Sequence, residues 1–195
     1  MLRCFTFILF FCALLPLFVN AELSCSSSNM TGSLQTKDWR YATDPHGSSA
    51  KTKGNLFDGE NIWISFSRLP RVDVQNNTWV ELIYDLPNKH LKDETKIALT
   101  YQSTTDLLIK LSQKDYGGEG DNSYAHYQYS LPATTQWTSI CVNIADFQRP
   151  NWTPESSKDV GIINKNVKAL YLVPDLEDEL GGHSTLEVKA IGLFP

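Results

Sequence analysis

Apolar and polar residues alternate with a period of two along most of this chain, which is the pattern of half-buried β-strands. From Asn61 to Leu69, Ile62, Ile64 and Phe66 oppose Trp63, Ser65 and Ser67. From Trp79 to Leu86, Val80, Leu82 and Tyr84 oppose Trp79, Glu81 and Ile83. Ile97, Leu99 and Tyr101 share a face, as do Leu107, Ile109 and Leu111, with Leu108, Lys110 and Ser112 opposite. Tyr124 to Leu131 splits into Ala125, Tyr127, Tyr129, Leu131 and Tyr124, His126, Gln128, Ser130. Trp137 to Ile144, Val167 to Val173 and Thr185 to Phe194 complete the set. The one helical candidate, Pro154 to Asn164, is short and polar. Turn residues separate the segments, and Tyr116 to Ser123 and Asp175 to Ser184 read as loops at a rim. The pattern predicts an all-β fold, a jelly-roll β-sandwich of about eight antiparallel strands, with no internal repeat and no second domain.

The first 21 residues stand apart. Arg3 is followed by an apolar run from Phe5 to Val19, and Val19-Asn20-Ala21 places branched or small residues around a cleavage point. Residues 1–21 are expected to be a secretory signal peptide. The run is shorter than the roughly 20 residues of a membrane-spanning helix and is interrupted by Pro16. Residues 22–37, rich in Ser, Thr and Asn, read as a flexible leader. Residues 38–195 form the predicted sandwich. The protein is expected outside the cell, with the periplasm or the cell surface as options, and as a monomer. Removing the signal removes Cys4 and Cys12 and leaves Cys25 and Cys141, which in an oxidising compartment are expected to form one disulfide.

Charge narrows the partners. Without Arg3 the chain carries 16 Lys and Arg against 22 Asp and Glu, and no basic block occurs. Nucleic acids and membranes are therefore not expected as partners. Enzyme motifs are missing too: there is no Gly-x-Ser-x-Gly, no His-Glu-x-x-His and no cysteine metal cluster. No catalytic residue, metal ligand or cofactor is assigned. Paired carboxylates for glycoside cleavage stay open, since any two acids could lie at the needed distance. Asp175, Glu177, Asp178 and Glu179, and Asp58 with Glu60, offer hard oxygens that leave a structural calcium ion open, though neither group follows an ordered ligand pattern. Sequons occur at Asn29, Asn76 and Asn151.

The remaining candidates are aromatic and polar. Sugar rings present apolar C–H faces that stack on aromatic rings, while their hydroxyls need amide, imidazole or charged partners. Alternation places Gln102, Lys110, His126 and Gln128 opposite their strands' apolar residues, so they share an outward face if their strands share a sheet. Tyr116, in Lys-Asp-Tyr-Gly-Gly-Glu, and Trp152, between Pro150 and Pro154, lie in turn-rich segments that could rim that face. An ordinary solvated sheet face, with Trp152 plugging the sandwich end, is the competing reading.

The stretch Ile97 to Trp152 resembles bacterial carbohydrate-binding modules of the kind attached to Fibrobacter-type plant cell-wall enzymes and related to the family-eleven modules. The carrying residues are Leu99-Thr100-Tyr101-Gln102-Ser103, Leu107 to Tyr116, Tyr124-Ala125-His126-Tyr127, Leu131-Pro132-Ala133-Thr134 and Trp137. Asp146-Phe147-Gln148-Arg149-Pro150-Asn151-Trp152 is similar to the family's Phe-Gln-Pro-x-Trp run, with Arg149 inserted. Upstream, Trp39 to Asp44 and Gly47-Ser48-Ser49 resemble the opening strand and its turn; Leu186 to Leu193 resembles the closing strand. The resemblance implies a jelly roll and noncatalytic binding of a polysaccharide or oligosaccharide of the plant or algal cell-wall type. Gln102, Lys110, Tyr116, His126, Gln128 and Trp152 form the expected ligand-binding set. A small secreted lyase or hydrolase using the same face, and an envelope interaction protein without a sugar site, are the alternatives.

Overall fold

The computed structural model describes residue 25, residue 34 and residues 36–73, 77–113, 126–157 and 159–195. Ten strands are present: β1 (Trp39–Thr43), β2 (Ser49–Phe57), β3 (Ile62–Arg68), β4 (Val80–Asp85), β5 (Lys96–Ser103), β6 (Leu107–Gln113), β7 (Gln128–Leu131), β8 (Thr134–Asn143), β9 (Val167–Pro174) and β10 (Gly182–Phe194). They form two five-stranded antiparallel sheets, the first in the order β1-β4-β9-β6-β7 and the second β2-β3-β10-β5-β8. The eight alternating segments all appear as strands. The two strands beyond these eight are β1, the opening strand that the resemblance implied, and β2, which carries Lys51-Thr52-Lys53-Gly54 in place of an alternating apolar face. Strand β2 lies at the edge of its sheet, where lysines discourage pairing with another chain. Its ladder with β3 slips between Thr52 and Phe57.

Period-two burial builds the core between the sheets. Ile62, Ile64 and Phe66 of β3, Ile97, Leu99 and Tyr101 of β5, and Leu186 and Val188 of β10 face Val80, Leu82 and Tyr84 of β4, Leu107, Ile109 and Leu111 of β6, and Leu170 and Leu172 of β9. Most of these side chains are fully buried, and each stabilises the fold by about 1.5–3 kcal/mol in transfer terms. Tyr127 and Tyr129 pack half-buried against this cluster. Trp39 meets Tyr84 with ring centroids 4.9 Å apart.

Cys25 and Cys141 are disulfide-bonded, with Cα atoms 6.0 Å apart and 116 residues between them in sequence. Cys141 sits on edge strand β8, opposite Ala98. Leu34 packs against the core, so two residues of the polar N-terminal stretch are tied to the sandwich.

Candidate functional site

Cross-strand register lays the outer face of the first sheet out in rungs. The middle rung reads Arg40, Ile83, Tyr171, Lys110, Gln128 across all five strands. The next rung toward the C-terminal end of β9 holds Ala42 with Glu81, and Val173 with Leu108 and Ser130. The rung on the other side holds Asp85, Ala169 and Ser112. Strands about 4.8 Å apart make such a rung about 19 Å long, enough for a short oligosaccharide. The face is hollow rather than flat: Ile83 and Ala169 are 2% exposed although they point away from the core.

Two hollows lie along the middle rung, where the cross-strand neighbours Lys110 and Tyr171 line one each. One, of about 690 Å³, has Lys110, Gln128, Leu108 and Val173 as its floor, Trp152 and Pro154 on one wall, and Trp79, Arg68 and Asp175 to Asp178 on the other. The second, of about 610 Å³, runs past Tyr171, Ser112 and Ala169 toward Lys37, Lys89 and Lys168.

Local hydrogen bonds fix both walls. Arg68 donates from Nε to the Thr78 carbonyl at 3.0 Å, from Nη1 to the Leu176 carbonyl at 2.7 Å and from Nη2 to Asp178. Arg71 adds a 3.5 Å contact to the same carboxylate. The Trp79 N–H donates to buried Asp44 at 2.9 Å. Opposite, the Trp152 segment is anchored on β7 by a reciprocal backbone pair between Gln128 and Gln148, at 2.9 and 2.8 Å. Asp159 then accepts from Arg149 Nε at 2.7 Å, from the Tyr127 hydroxyl at 2.8 Å and from the Gly161 N–H at 3.1 Å. Burial alone would push the Asp159 carboxyl up, but these bonds outweigh it and hold it below the usual carboxylate range. Arg149, the inserted residue in the Phe-Gln-Pro-x-Trp run, is thus a clamp on the segment that presents Trp152.

The floor is polar and unsatisfied. Among the described residues, no hydrogen bond or ion pair engages the Lys110 ammonium or the Glu81 carboxylate. Burial raises the Glu81 carboxyl to about 6, against the pull of Lys110 and Arg40. Burial likewise lowers the Lys110 ammonium, against Glu81. Desolvation wins on both, as expected for two charges that sense each other without touching. The Gln128 Oε1 atom is buried without a partner. Tyr171 accepts from Ser112 Oγ at 2.9 Å, which leaves its own O–H proton available, and its ring lies 5.8 Å from His126.

Of the six expected ligand residues, the structure brings Lys110, Gln128 and Trp152 to the first hollow and sets His126 against Tyr171 of the second. Trp152 is 56% exposed on the rim, which excludes the plug reading. Tyr116 lies outside the described residues. Gln102 is placed elsewhere, and the shared face assumed for it is corrected: β5 belongs to the second sheet, where Gln102 pairs with Glu187, itself opposite Trp63. Alternation tells inside from outside within a strand and not which sheet the strand joins. The short link from Ser103 to Leu107 crosses between sheets instead of turning a hairpin. Sequence reasoning also missed Glu81 and Tyr171. Both were legible as polar residues opposite an apolar face, Glu81 against Val80 and Leu82, and Tyr171 against Leu170 and Leu172.

The acidic loops have structural work. Asp178 pairs with Arg68 and Arg71, and Asp58 accepts the Glu60 and Asn61 N–H groups at 2.9 Å each. Among the described residues no three of His, Cys, Asp and Glu gather as metal ligands. Asn151 is exposed beside Trp152, whereas Asn29 and Asn76 lie outside the described residues.

No protein-family profile and no curated protein matches the chain. Solved structures do. The family 11 carbohydrate-binding module from Clostridium thermocellum, in complex with a β-1,3-1,4-mixed-linked tetrasaccharide, superposes with a TM-score of 0.62 at 17% identity, covering 85% of this chain and 94% of that one. The family 11 module of the cellulosomal cellulase Lic26A-Cel5E of the same organism gives 0.59 at 17% identity, with coverages of 87% and 96%. The shared fold is the jelly-roll β-sandwich.

Proposed function

We propose that this is a secreted, noncatalytic carbohydrate-binding protein that holds a polysaccharide or oligosaccharide chain, of the plant or algal cell-wall type, on the outer face of its first sheet. The observation that carries this reading is the polar floor of Lys110 and Gln128 Oε1, with the Glu81 carboxylate one rung away, all without partners among the described residues and beside the exposed indole of Trp152. Buried polar groups without partners are costly, and a ligand that supplies bonds to them recovers that cost. Sugar hydroxyls both donate and accept, so one ring can serve an ammonium, a carboxylate and an amide oxygen together, while its C–H face stacks on Trp152. The family 11 fold supports the reading, since one such module is solved with a tetrasaccharide. The Cys25–Cys141 bond supports an oxidising compartment.

The test is a glycan array followed by calorimetry on the disulfide-bonded protein. Saturable binding to a β-linked glycan, weakened at least tenfold in Lys110→Ala, is the expected result. Failure to retain any glycan ends the proposal. One observation favours a second reading: a carboxyl on the outer face of the first sheet, raised to about 6, is suited to general-acid catalysis, so Glu81 is the residue a glycan-cleaving enzyme would use. Reducing-sugar release that Glu81→Gln abolishes would establish it.

A further inference from the structure

The two ends of the groove differ in charge. The end bounded by Asp175, Glu177 and Asp178 balances its acids with Arg68, Arg71 and Lys110. At the opposite end the walls carry Lys37, Arg40, Lys89 and Lys168 against only Asp38 and Asp85. Arg40 and Asp85 neutralise each other through two bonds, at 2.7 and 3.1 Å. Three lysines remain against one carboxylate, in a chain whose net charge is −5. Among the described residues no hydrogen bond or ion pair engages the ammonium group of any of the three.

The backbone that delivers these lysines is irregular at two of three positions. Lys89 has φ +56°, the left-handed conformation that glycine adopts without strain, and among the described residues it is the one non-glycine with positive φ. It closes the turn Leu86-Pro87-Asn88-Lys89, with its N–H donating to the Leu86 carbonyl at 2.8 Å. Such a residue carries a local cost that glycine would remove, and strained positions of this kind cluster at ligand sites. Lys168 is the extra residue of a bulge: Ser112 pairs with Ala169 and Gln113 with Val167, so Lys168 has no partner in the β6–β9 ladder. Bulges re-aim side chains, and this one turns Lys168 outward on a strand whose neighbouring Val167 is in the core. Lys37 comes from the short helical turn Thr36–Asp38 ahead of β1.

We infer that the groove is built for an acidic glycan: a chain whose anionic sugar, bearing a carboxylate or a sulfate, sits over Lys37, Lys89 and Lys168 while its neighbouring rings run over Tyr171 and Lys110 to Trp152. The inference rests on the carbohydrate-binding reading and deepens it by naming the substrate class and the direction in which the chain lies. Each lysine is solvent-facing, so each contributes a modest, salt-screened attraction; together they discriminate charged from uncharged chains. The neutral end holds the rest of the chain by stacking and hydroxyl contacts.

Calorimetric titration at low salt with three hexasaccharides tests this: a galacturonic acid hexamer, a sulfated galactan hexamer and uncharged cellohexaose. At least one acidic hexamer is expected to bind about tenfold more tightly than the neutral one. Adding 0.5 M NaCl, on the order of a 4 Å screening length, is expected to close most of that gap. The two acidic arms separate carboxylate from sulfate recognition. The variant K37Q/K89Q/K168Q is expected to lose the acidic preference, keep its affinity for the neutral hexamer and unfold at the wild-type temperature. Equal affinities for acidic and neutral hexamers, or an acidic preference that survives high salt or the triple variant, overturn the inference and leave the carbohydrate-binding reading standing. Binding of no hexamer, and of no other glycan, brings down both.

Discussion

On the outer face of the second sheet, Lys53 sits 4.4 Å over the ring of Trp63 and Lys189 5.6 Å over that of Trp137. On the same face Asn61 donates to Glu187 at 3.3 Å, and Thr100 and Ser139 share a hydrogen bond of 2.9 Å. On the outer face of the first sheet, Lys110, Glu81 and Gln128 Oε1 have no such partners, and Trp152 stands 56% exposed with open space at its side. The two faces use the same vocabulary of Trp, Lys, Gln and Glu. One spends it on internal contacts and the other leaves it open. Aromatic and polar composition alone therefore does not mark a sugar site. Under the proposed function the distinguishing feature is unmet hydrogen-bonding capacity in a hollow, because only there does a ligand add bonds that the fold has not already made.

The largest expected effect separates fold from site. Cys141 lies on β8 of the second sheet, so its bond to Cys25 should act on stability and not on the groove. The double variant C25S/C141S is expected to lose about 2–5 kcal/mol in urea unfolding, the range for removing a disulfide that closes a long loop. Glycan affinity measured on the folded fraction should be unchanged. A variant of wild-type stability that no longer binds would place the N-terminal segment in the site and erase the distinction between the faces.

A smaller effect sharpens the character of the open face. The Glu81 carboxyl stands at about 6 in the fold against an ordinary value of 4.5, because burial disfavours its charge. The folded state thus holds the proton more tightly than the unfolded chain, and stability falls as pH rises through that interval. The penalty is absent below about pH 4.5 and complete above pH 6, and it amounts to about 2 kcal/mol. Glu81→Gln should match wild type in thermal unfolding at pH 4.5 and exceed it at pH 7. Equal stabilities at pH 7 would mean that Lys110 already compensates Glu81, and the floor would no longer count as unsatisfied.

Most of the fold was legible because alternation is a property of single strands. Ile62-Ile64-Phe66, Ile97-Leu99-Tyr101 and Leu107-Ile109-Leu111 each announce a core face, and each is buried. Edge strand β2 escaped because an edge strand need not alternate. The site was legible only where sequence neighbours were also spatial ones. Lys110 and Gln128 lie on adjacent antiparallel strands and pair directly, so they belong together whichever sheet holds them. Gln102 and Lys110 are separated by a crossing between sheets that no local pattern records, and Glu81 comes to the same face as Lys110 through pairing of β4 with strands distant in sequence. Arg149 reads in the sequence as an insertion and in the structure as the partner of Asp159.

The smallest effect gives the most direct comparison of the faces, by making one truncation on each. Trp152 and Trp137 are both exposed indoles, at 56% and 39%. Trp152→Ala is expected to weaken glycan binding about tenfold, since a stacking aromatic contributes on the order of 1–1.5 kcal/mol beyond its buried area. Its unfolding midpoint should hardly move, because Asp159, Arg149 and Tyr127 hold the loop without the indole. Trp137→Ala and Gln102→Ala should leave binding unchanged, and Trp137→Ala should lose a few tenths of a kcal/mol, up to about 1, with its exposed Lys189 contact. Titrating the three variants against one glycan and melting each in parallel separates the outcomes. If Trp137→Ala or Gln102→Ala weakens binding while Trp152→Ala does not, the ligand lies on the second sheet, and contacts already satisfied within the fold are no guide to where a sugar binds.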